Sequence, residues 1–502
     1  MKKILLLLCC LNFLTLVKAQ QLVQERLYKI GNSNKGLVAS SLTREGNVVI
    51  TGSYTFNPGY QSIFTLVKPN TDTLWMRLGP LIALGGIGIK QTINSGYVVY
   101  TTKVNTSPTT SGTALLKYDG NGMLKQVIPY AINTFDSGHL ILLAPDSGYY
   151  LGGNNIIAGK NNRFTLGRTD SLGNLKWRKG YAWSNGDFLA DMQHTLNGNI
   201  IMYGITGASQ RLKLLLVNQQ GDSVLGRILS IIGSNRVERV SSAISSVTPL
   251  LDGGFLLAAE IDTTVTGGPS KLGMVVKVNA SLQPVWHYIN RSVTDNVFFT
   301  RSRELTDGSM VVLGFERKGT GSMPGDKFFL YRFNPTGSLL NIYTFTSTIA
   351  TQVQTTTLEA LPDSSFIIGG NGVVTPAPNL SAGFYVAKVK IAGLAPALPL
   401  PGPIKVTGTK EDAFLAGTTL GQSYPNPTAA EAIISYSLPK NYTKARIMIR
   451  EIATGREIKD FELKRNTSSL TVDLSGLSNG LYLYSLVVDD KPVATKKLAV
   501  IK

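Results

Sequence analysis

Three observations predict an all-β chain. A Gly- or Asp-bearing turn followed by an apolar run recurs seven times, at intervals of 50 to 56 residues. A proline-rich stretch ends that pattern, and short strands of alternating polarity fill the remainder. Short strands at this spacing, each group too small to bury its own faces, predict stacked four-stranded blades. The expected architecture is a seven-bladed β-propeller over residues 20–393, closed by the N-terminal strand. A Pro-rich linker over 394–420 and a small Ig-like antiparallel β-sandwich over 421–502 follow. Composition agrees: 51 glycines in 502 residues suit tight turns, and a charged fraction of 16% is too low for a disordered or coiled-coil protein.

Met1-Lys2-Lys3 precedes an apolar run from Ile4 to Val17, and Lys18-Ala19-Gln20 follow. A short positive segment, an apolar stretch of about 14 residues and a small residue before a polar one predict a secretory signal cleaved after Ala19. The stretch is short for a membrane span, which takes about 20 residues. No later segment is apolar for long enough to replace it. Cys9 and Cys10 would suggest lipid attachment, but Leu8 and Cys9 precede them where a lipoprotein signal wants a small residue. Both cysteines leave with the signal, which excludes disulfides, thiolate nucleophiles and cysteine-bound zinc from the mature chain. Loss of Lys2, Lys3 and Lys18 lowers the net charge from +18 to +15. Such a balance favours anionic partners. No Lys/Arg cluster of the length used by nucleic-acid patches occurs, so no specific nucleic-acid partner is expected.

Glu45-Gly46-Asn47-Val48-Val49-Ile50 and Asn197-Gly198-Asn199-Ile200-Ile201-Met202 exemplify the repeated motif. Aligning Gly46, Gly96, Gly148, Gly198, Gly253, Gly308 and Ser364 brings the seven copies into register. A second strand follows each turn, as in Phe64–Lys68, Ala114–Tyr118 and Phe328–Phe333. Most copies then turn at Asn, Asp or Gly into a third strand, as in Asp170-Ser171-Leu172-Gly173-Asn174-Leu175-Lys176-Trp177, with Trp75 and Trp286 in the matching place elsewhere. The seventh copy stops after Phe384–Ile391 without its outermost strand. Glu25-Arg26-Leu27-Tyr28-Lys29-Ile30-Gly31 resembles those outer strands, so the N-terminus is expected to complete the last blade. The copies resemble propeller repeats common in secreted bacterial proteins. Asp170 to Trp177 also resembles, in a single copy, the Asp-box of sialidases; it is read as a structural turn.

Pro396, Pro399, Pro401 and Pro403 make the segment from Leu394 an extended, stiff spacer. Beyond it, strands alternate in Ala432–Leu438, Ala445–Glu451, Glu457–Leu463, Ser469–Asp473, Gly480–Val488 and Ala494–Ile501. The ordered motifs are Tyr424-Pro425-Asn426-Pro427, Ile433 to Pro439, Ile449 to Gly455, Leu474 to Tyr482 through Leu477 and Gly480, and Lys496-Lys497-Leu498 to Lys502. This module closely resembles the type A C-terminal sorting domain of type IX secretion cargo in Bacteroidetes. Thr428 departs from it, standing where that family usually has an aromatic residue. The resemblance implies export to the periplasm, recognition by the outer-membrane translocon, and anchoring on the surface or release.

No catalytic motif accompanies this framework. The three histidines, His139, His194 and His287, lack metal-ligand spacing, and no nucleophile elbow or phosphate-binding loop occurs. No metal or cofactor is expected; calcium is left open by the loop carboxylates, with no motif behind it. Propellers bind ligands at a mouth of the channel, where loops lead into the innermost strands. Those positions carry Lys90, Asp136, Asp187, Arg239, Asp295 and Gln354. Mixed signs suit polar recognition. The leading expectation is a monomeric binding or scaffold module for extracellular polysaccharide or a surface protein. The alternative is a carbohydrate-active hydrolase or lyase using channel-mouth carboxylates, which would need two carboxyl groups roughly 5 to 9.5 Å apart.

Overall fold

The computed structural model describes residues 20–29, 39–56, 59–82, 87–104, 111–130, 135–157, 160–181, 186–207, 211–231, 238–239, 245–262, 271–290, 296–318, 323–374, 381–403, 418–438, 442–452, 457–464, 467–489 and 491–502. The expected signal segment 1–19, with Ala19, lies outside them. The chain divides into two compact units, Met1–Lys405 and Val406–Lys502. Both are all-β, and no helix long and apolar enough to cross a membrane occurs among the described residues.

In the first unit the described strands form seven antiparallel sheets, six of four strands and one of five. The first sheet shows the usual order, with Ala39–Leu42, Val48–Phe56, Gly59–Val67 and Thr73–Ile82 paired successively. Runs such as Val48-Val49-Ile50 are wholly buried, because a sheet stacked between two others hides both of its faces. The sheet built from Gln352–Ala360, Ser365–Val374 and Ser381–Ile391 takes its fourth strand from the N-terminus, where Gln20–Lys29 pairs with Ser381–Ile391. Neighbouring sheets touch through their first strands. Ala39–Leu42 packs against Ile87–Gln91 on one side and Gln352–Ala360 on the other.

The recurrent turn joins the first two strands of each sheet, and its chemistry is local. Thr43 N donates to Asn47 O at 2.8 Å and Gly46 N to Thr43 O at 3.1 Å, which throws Gly46 into the left-handed region at φ +79°. Glycine tolerates that conformation because it has no Cβ. The corresponding left-handed residues are Ser95, Ser147, Gly198, Gly253, Gly308 and Ser364. The sequence register is thus corrected by one residue in the second and third sheets: the left-handed position belongs to Ser95 and Ser147, not to Gly96 and Gly148. Those two glycines are needed for space instead. A Cβ on Gly96 would lie 2.5 Å from Tyr118 O, and one on Gly148 would lie 2.1 Å from Thr169 O.

A second turn joins the third and fourth strands. Asp170 Oδ1 accepts the N–H groups of Leu172, Gly173 and Asn174 at 2.8–2.9 Å, and Oδ2 accepts Asn174 Nδ2 at 2.9 Å. That saturated carboxylate is a turn cap, as expected of this motif. Outer-strand aromatics then cover the turn of the next sheet. Trp75, Trp177 and Trp286 lie over Gly122, Gly221 and Gly337, where a Cβ would collide with the indole. Tyrosines add hydrogen bonds: Tyr130 Oη to Gly173 O and Tyr181 Oη to Gly221 O, both 2.7 Å. Tyr28 Oη does the same for Thr71 O at 2.5 Å, joining the N-terminal strand to the first sheet.

The proline-rich segment is only partly a spacer. Leu398 N donates to Glu304 O at 2.7 Å, and Thr306 N to Pro396 O at 2.8 Å, with Leu305 and Ala397 in a bridge. Proline has no N–H to offer, so the segment pairs as an edge strap through its remaining donors and carbonyls. Thr419 and Leu420, at its other end, pair with Ser437 and Tyr436 of the second unit.

That second unit fits an Ig-like sandwich. Thr419–Leu420, Glu431–Ser437 and Ser469–Asp473 form one sheet; Glu457–Glu462, Ala445–Glu451, Gly480–Val488 and Lys491–Val500 form the other in that order. Alternating residues Ala432, Ile434 and Tyr436 turn inward and meet Ile447, Ile449, Tyr484 and Leu486.

Candidate functional site

The innermost strands of the first unit carry a shared irregularity. Their registers slip between Gly138 and Leu140, Leu189 and Asp191, Phe299 and Arg301, and Thr355 and Thr357. A bulge adds one residue and re-aims the side chains that follow it. Beyond each bulge, the residues seven and five places before the left-handed turn residue share one strand face. These are Leu140 and Leu142, Asp191 and Gln193, Arg301 and Arg303, and Thr357 and Glu359. Gly88 and Lys90 hold the same places before Ser95. All ten line one cavity of about 140 Å³. Gly88 is required by crowding there, since a Cβ would sit 2.9 Å from Ile141 N.

Charge is concentrated in this cavity. Asp191 Oδ2 accepts Val247 N at 3.0 Å and Oδ1 accepts Met192 N at 2.9 Å, which ties the fourth sheet to the fifth. Burial raises the Asp191 carboxyl above its ordinary range, against the pull of Arg301 and those two N–H groups. Arg301 Nη1 donates to Thr300 O at 2.9 Å and Ser245 O at 3.3 Å, and Arg303 Nη1 donates to Ser302 O at 2.9 Å. Arg303 Nη2 lies 3.5 Å from Glu359 Oε2, while Ser40 Oγ donates to Glu359 Oε1 at 2.6 Å. Burial lowers Lys90, Arg301 and Arg303 from their ordinary values. Ile89, Ile141, Leu358 and Leu400 supply apolar wall, Leu400 coming from the proline-rich strap.

Of the six positions expected at the channel mouth, Lys90 lines this cavity. Asp187 does not. It is fully buried against the equally buried Lys213, Oδ2 to Nζ 2.5 Å, and is a structural ion pair. Gln354 is half-buried on its strand, opposite Asn371, and outside the cavity lining. Asp136 and Arg239 occupy strand positions opposite Asn155 and Glu260, but their side chains, like the whole of Asp295, lie outside the described residues. Asp191, Arg301, Arg303 and Glu359 were missed from sequence. The signal that finds them is the fixed distance to the left-handed turn residue, seven or five places before Gly198, Gly308 and Ser364; that these places face a cavity shows only in the paired strands.

Two histidines tie neighbouring sheets together, and His139 also lines the cavity. His139 Nε2 donates to Leu189 O at 3.0 Å and His194 Nε2 to Leu143 O at 2.8 Å, each crossing between the third and fourth sheets. Burial pushes His194 down to about 4; the bond to Leu143 opposes this, and nearby Lys90 adds to it. His287 is exposed on an outer strand. Among the described residues, no group of three or more His, Cys, Asp and Glu could hold a metal ion.

The second unit presents its own candidate surface. Tyr424 and Ile433 exchange backbone bonds at 2.8 and 2.9 Å, and Asn426 clips the segment to the last strand. Its Nδ2 donates to Lys497 O at 2.9 Å and its Oδ1 accepts Ala499 N at 2.8 Å. Pro425 and Pro427 flank Asn426, and Thr428 is buried, continuing the contact through Thr428 N to Ala499 O at 2.9 Å. Tyr424 is 78% exposed. Leu477 and Tyr482 are buried on either side of Gly480, with Tyr482 Oη donating to Ser478 O at 2.9 Å. Lys496 and Lys497 stand on the final strand opposite Tyr484 and Leu483, and Gly455 lies outside the described residues.

Residues 422–502 match the family of secretion system C-terminal sorting domains. The chain is exported by type IX secretion to the cell surface or extracellular space. The sorting domain meets the type IX secretion machinery on the way. No curated protein matches the chain in sequence. Solved structures similar to it include the polysaccharide lyase Uly1, at 8% identity and a TM-score of 0.46, covering 72% of this chain and 91% of that one. A putative 6-phosphogluconolactonase from Bacteroides fragilis is 10% identical with a TM-score of 0.42, covering 93% and 99%. An α-L-arabinofuranosidase from Fusarium graminearum is 12% identical with a TM-score of 0.38, covering 60% and 92%.

Proposed function

We propose that the first unit is a seven-bladed propeller, closed by the N-terminal strand, that serves on the cell surface or in the medium as a binding module for extracellular glycan or protein. Closure is supported by the pairing of Gln20–Lys29 with Ser381–Ile391 and by the Tyr28 bond to Thr71. Residues 1–19 act as the secretory signal, Ala19 is the last residue removed, and the sorting domain is of type A. The mature protein is a monomer.

The observation that carries the binding reading is the cavity at the inner strands. Side chains at equivalent places on five sheets converge there with both signs of charge and an apolar wall, the usual make-up of a small-ligand site. Asp187, expected at the channel mouth, is paired with the buried Lys213, and this favours the binding reading over acid–base chemistry there.

Thermal unfolding of the full chain against neutral and acidic glycans tests the assignment. A ligand at 100 times its dissociation constant stabilises by about 2.7 kcal/mol, a visible shift. Leu400→Trp, which fills the cavity from the strap, should cancel the shift. A shift that survives Leu400→Trp, or one given equally by every polyanion and lost in salt, would overturn the cavity as the ligand site. Deleting residues 422–502 should keep the propeller inside the cell envelope; normal surface delivery would refute the sorting role.

A further inference from the structure

The charges in the cavity do not cancel. Lys90, Arg301 and Arg303 stand against Asp191 and Glu359. Their partners also differ in kind. Both arginines donate to carbonyls of their own or the neighbouring strand, and both carboxylates accept hydrogen bonds from the protein. Lys90 is different. Among the described residues, no acceptor lies within hydrogen-bonding distance of its ammonium, and no carboxylate lies within ion-pair distance. Glu359 and Asp191 attract it only at longer range, so its hydrogen-bonding capacity is left to water or a ligand. Lys90 is held there by a strand whose neighbours, Ile89 and Gln91, are buried and fixed.

We infer, on the footing that this cavity is the ligand site, that it takes a uronate unit of an acidic glycan. The carboxylate sits on Lys90 beside Arg301 and Arg303, and ring hydroxyls donate to Asp191 and Glu359. Three features select this chemistry. Lys90 calls for one anionic group, and Arg301 and Arg303 line the same cavity to add to its hold. Each carboxylate has lone pairs beyond those its protein partners use, which a hydroxyl-bearing ring can fill and a simple anion cannot. At about 140 Å³ the cavity is close to an engineered one of about 150 Å³ that takes up benzene, so it has room for no more than part of one substituted ring, the carboxylate end in this assignment. A neutral sugar would leave Lys90 unanswered, and an acetate-like anion would leave the carboxylates without donors.

The full chain should be titrated with glucuronate, glucose and acetate at constant ionic strength, following both heat and melting temperature. Glucuronate is expected to bind saturably, and glucose and acetate at least ten-fold more weakly. Lys90→Met should weaken glucuronate binding ten-fold or more, whereas Lys90→Arg should keep it within a few-fold. Without ligand, Lys90→Met should melt no lower than the wild type, because it removes an unpartnered ammonium. Should it melt lower, the Lys90→Arg and glucose arms still decide. Glucose binding as tightly as glucuronate would overturn the uronate assignment, as would acetate binding equally well or Lys90→Met retaining full affinity. If Leu400→Trp blocks binding while Lys90→Met does not, the uronate assignment falls and the cavity stands. If neither variant weakens binding, the cavity falls with it.

Discussion

Two sites in the first unit place a lysine beside carboxylates, and they behave as opposites. In the fourth sheet, Asp187 and Lys213 are both fully buried at 2.5 Å, with Lys213 also donating to Tyr181 O at 3.3 Å and lying 4.4 Å from the Phe164 ring centroid. In the cavity, Lys90 is half-buried and has no such partner among the described residues, although two carboxylates line the same space. Lys90 lies on an innermost strand, whereas Lys213 lies on the third strand of its sheet. The difference is enclosure. A closed pair must satisfy itself to be tolerated, whereas a charge facing an open cavity is answered by water or a ligand. Buried charge therefore marks a candidate site only where the protein leaves it unsatisfied.

The largest test of that contrast is removal of one partner from the closed pair. Asp187→Leu should destabilise the first unit by about 3–5 kcal/mol in urea unfolding, because Lys213 is left as a buried, uncompensated cation. Asp187→Leu combined with Lys213→Met should recover most of the loss. Lys90→Met should cost nothing. Equal losses at the two lysines would erase the distinction.

Histidine 194 offers a second test, since Lys90 contributes to its depressed value. Its folded pKa of about 4 lies below the ordinary 6.5, so between those values the unfolded chain binds more protons. Its contribution is fully present above about pH 6.5 and is lost as pH falls toward 4, about 3 kcal/mol in all. The stability difference between wild type and His194→Gln should shrink across that window. Lys90→Met should move the His194 titration upward, followed by NMR; an unmoved titration would mean that Lys90 does not face His194 as a cation.

Smaller effects probe how the sheets are joined. Tyr28→Phe and Tyr181→Phe each remove one hydrogen bond to the neighbouring sheet and should cost about 1 kcal/mol. A neutral Tyr28→Phe beside a costly Tyr181→Phe would mean that the N-terminal strand does not join the first sheet as Tyr181 joins its neighbour. At the turns, Gly46→Ala should cost about 1 kcal/mol from its left-handed backbone alone, because its Cβ would meet nothing within 4 Å. Ser95→Gly should be neutral or slightly stabilising, as the same conformation there already bears a Cβ. The reverse order would return the left-handed position to Gly96.

Local chemistry was legible in the residues. An apolar run after a Gly-Asn turn makes a strand wherever it stands, so Val48–Phe56 and Ile200–Ile205 could be placed without knowing their neighbours. The sandwich strands were equally plain. Glu431–Ser437 and Ser469–Asp473 fall within a residue of where alternation put them, since one buried face imposes a period of two. The saturated carboxylate of Asp170 was readable for the same reason: all its partners lie within four residues.

The site depended on distance in space. Asp187 and Lys90 both precede a turn by a short stretch of strand, and nothing in their sequence neighbourhoods says that one is sealed against Lys213 while the other faces a cavity. Asp191, Arg301, Arg303 and Glu359 were aimed together by bulges, which arise from a mismatch between paired strands rather than from either strand alone. The strap gives the same lesson, because prolines dictate an extended backbone but not which edge it meets. By itself the sequence determined strands, turns and the sorting module, because those rest on interactions among near neighbours. Which charges are closed into pairs and which are left open to a ligand was decided only by how strands far apart in the chain pack.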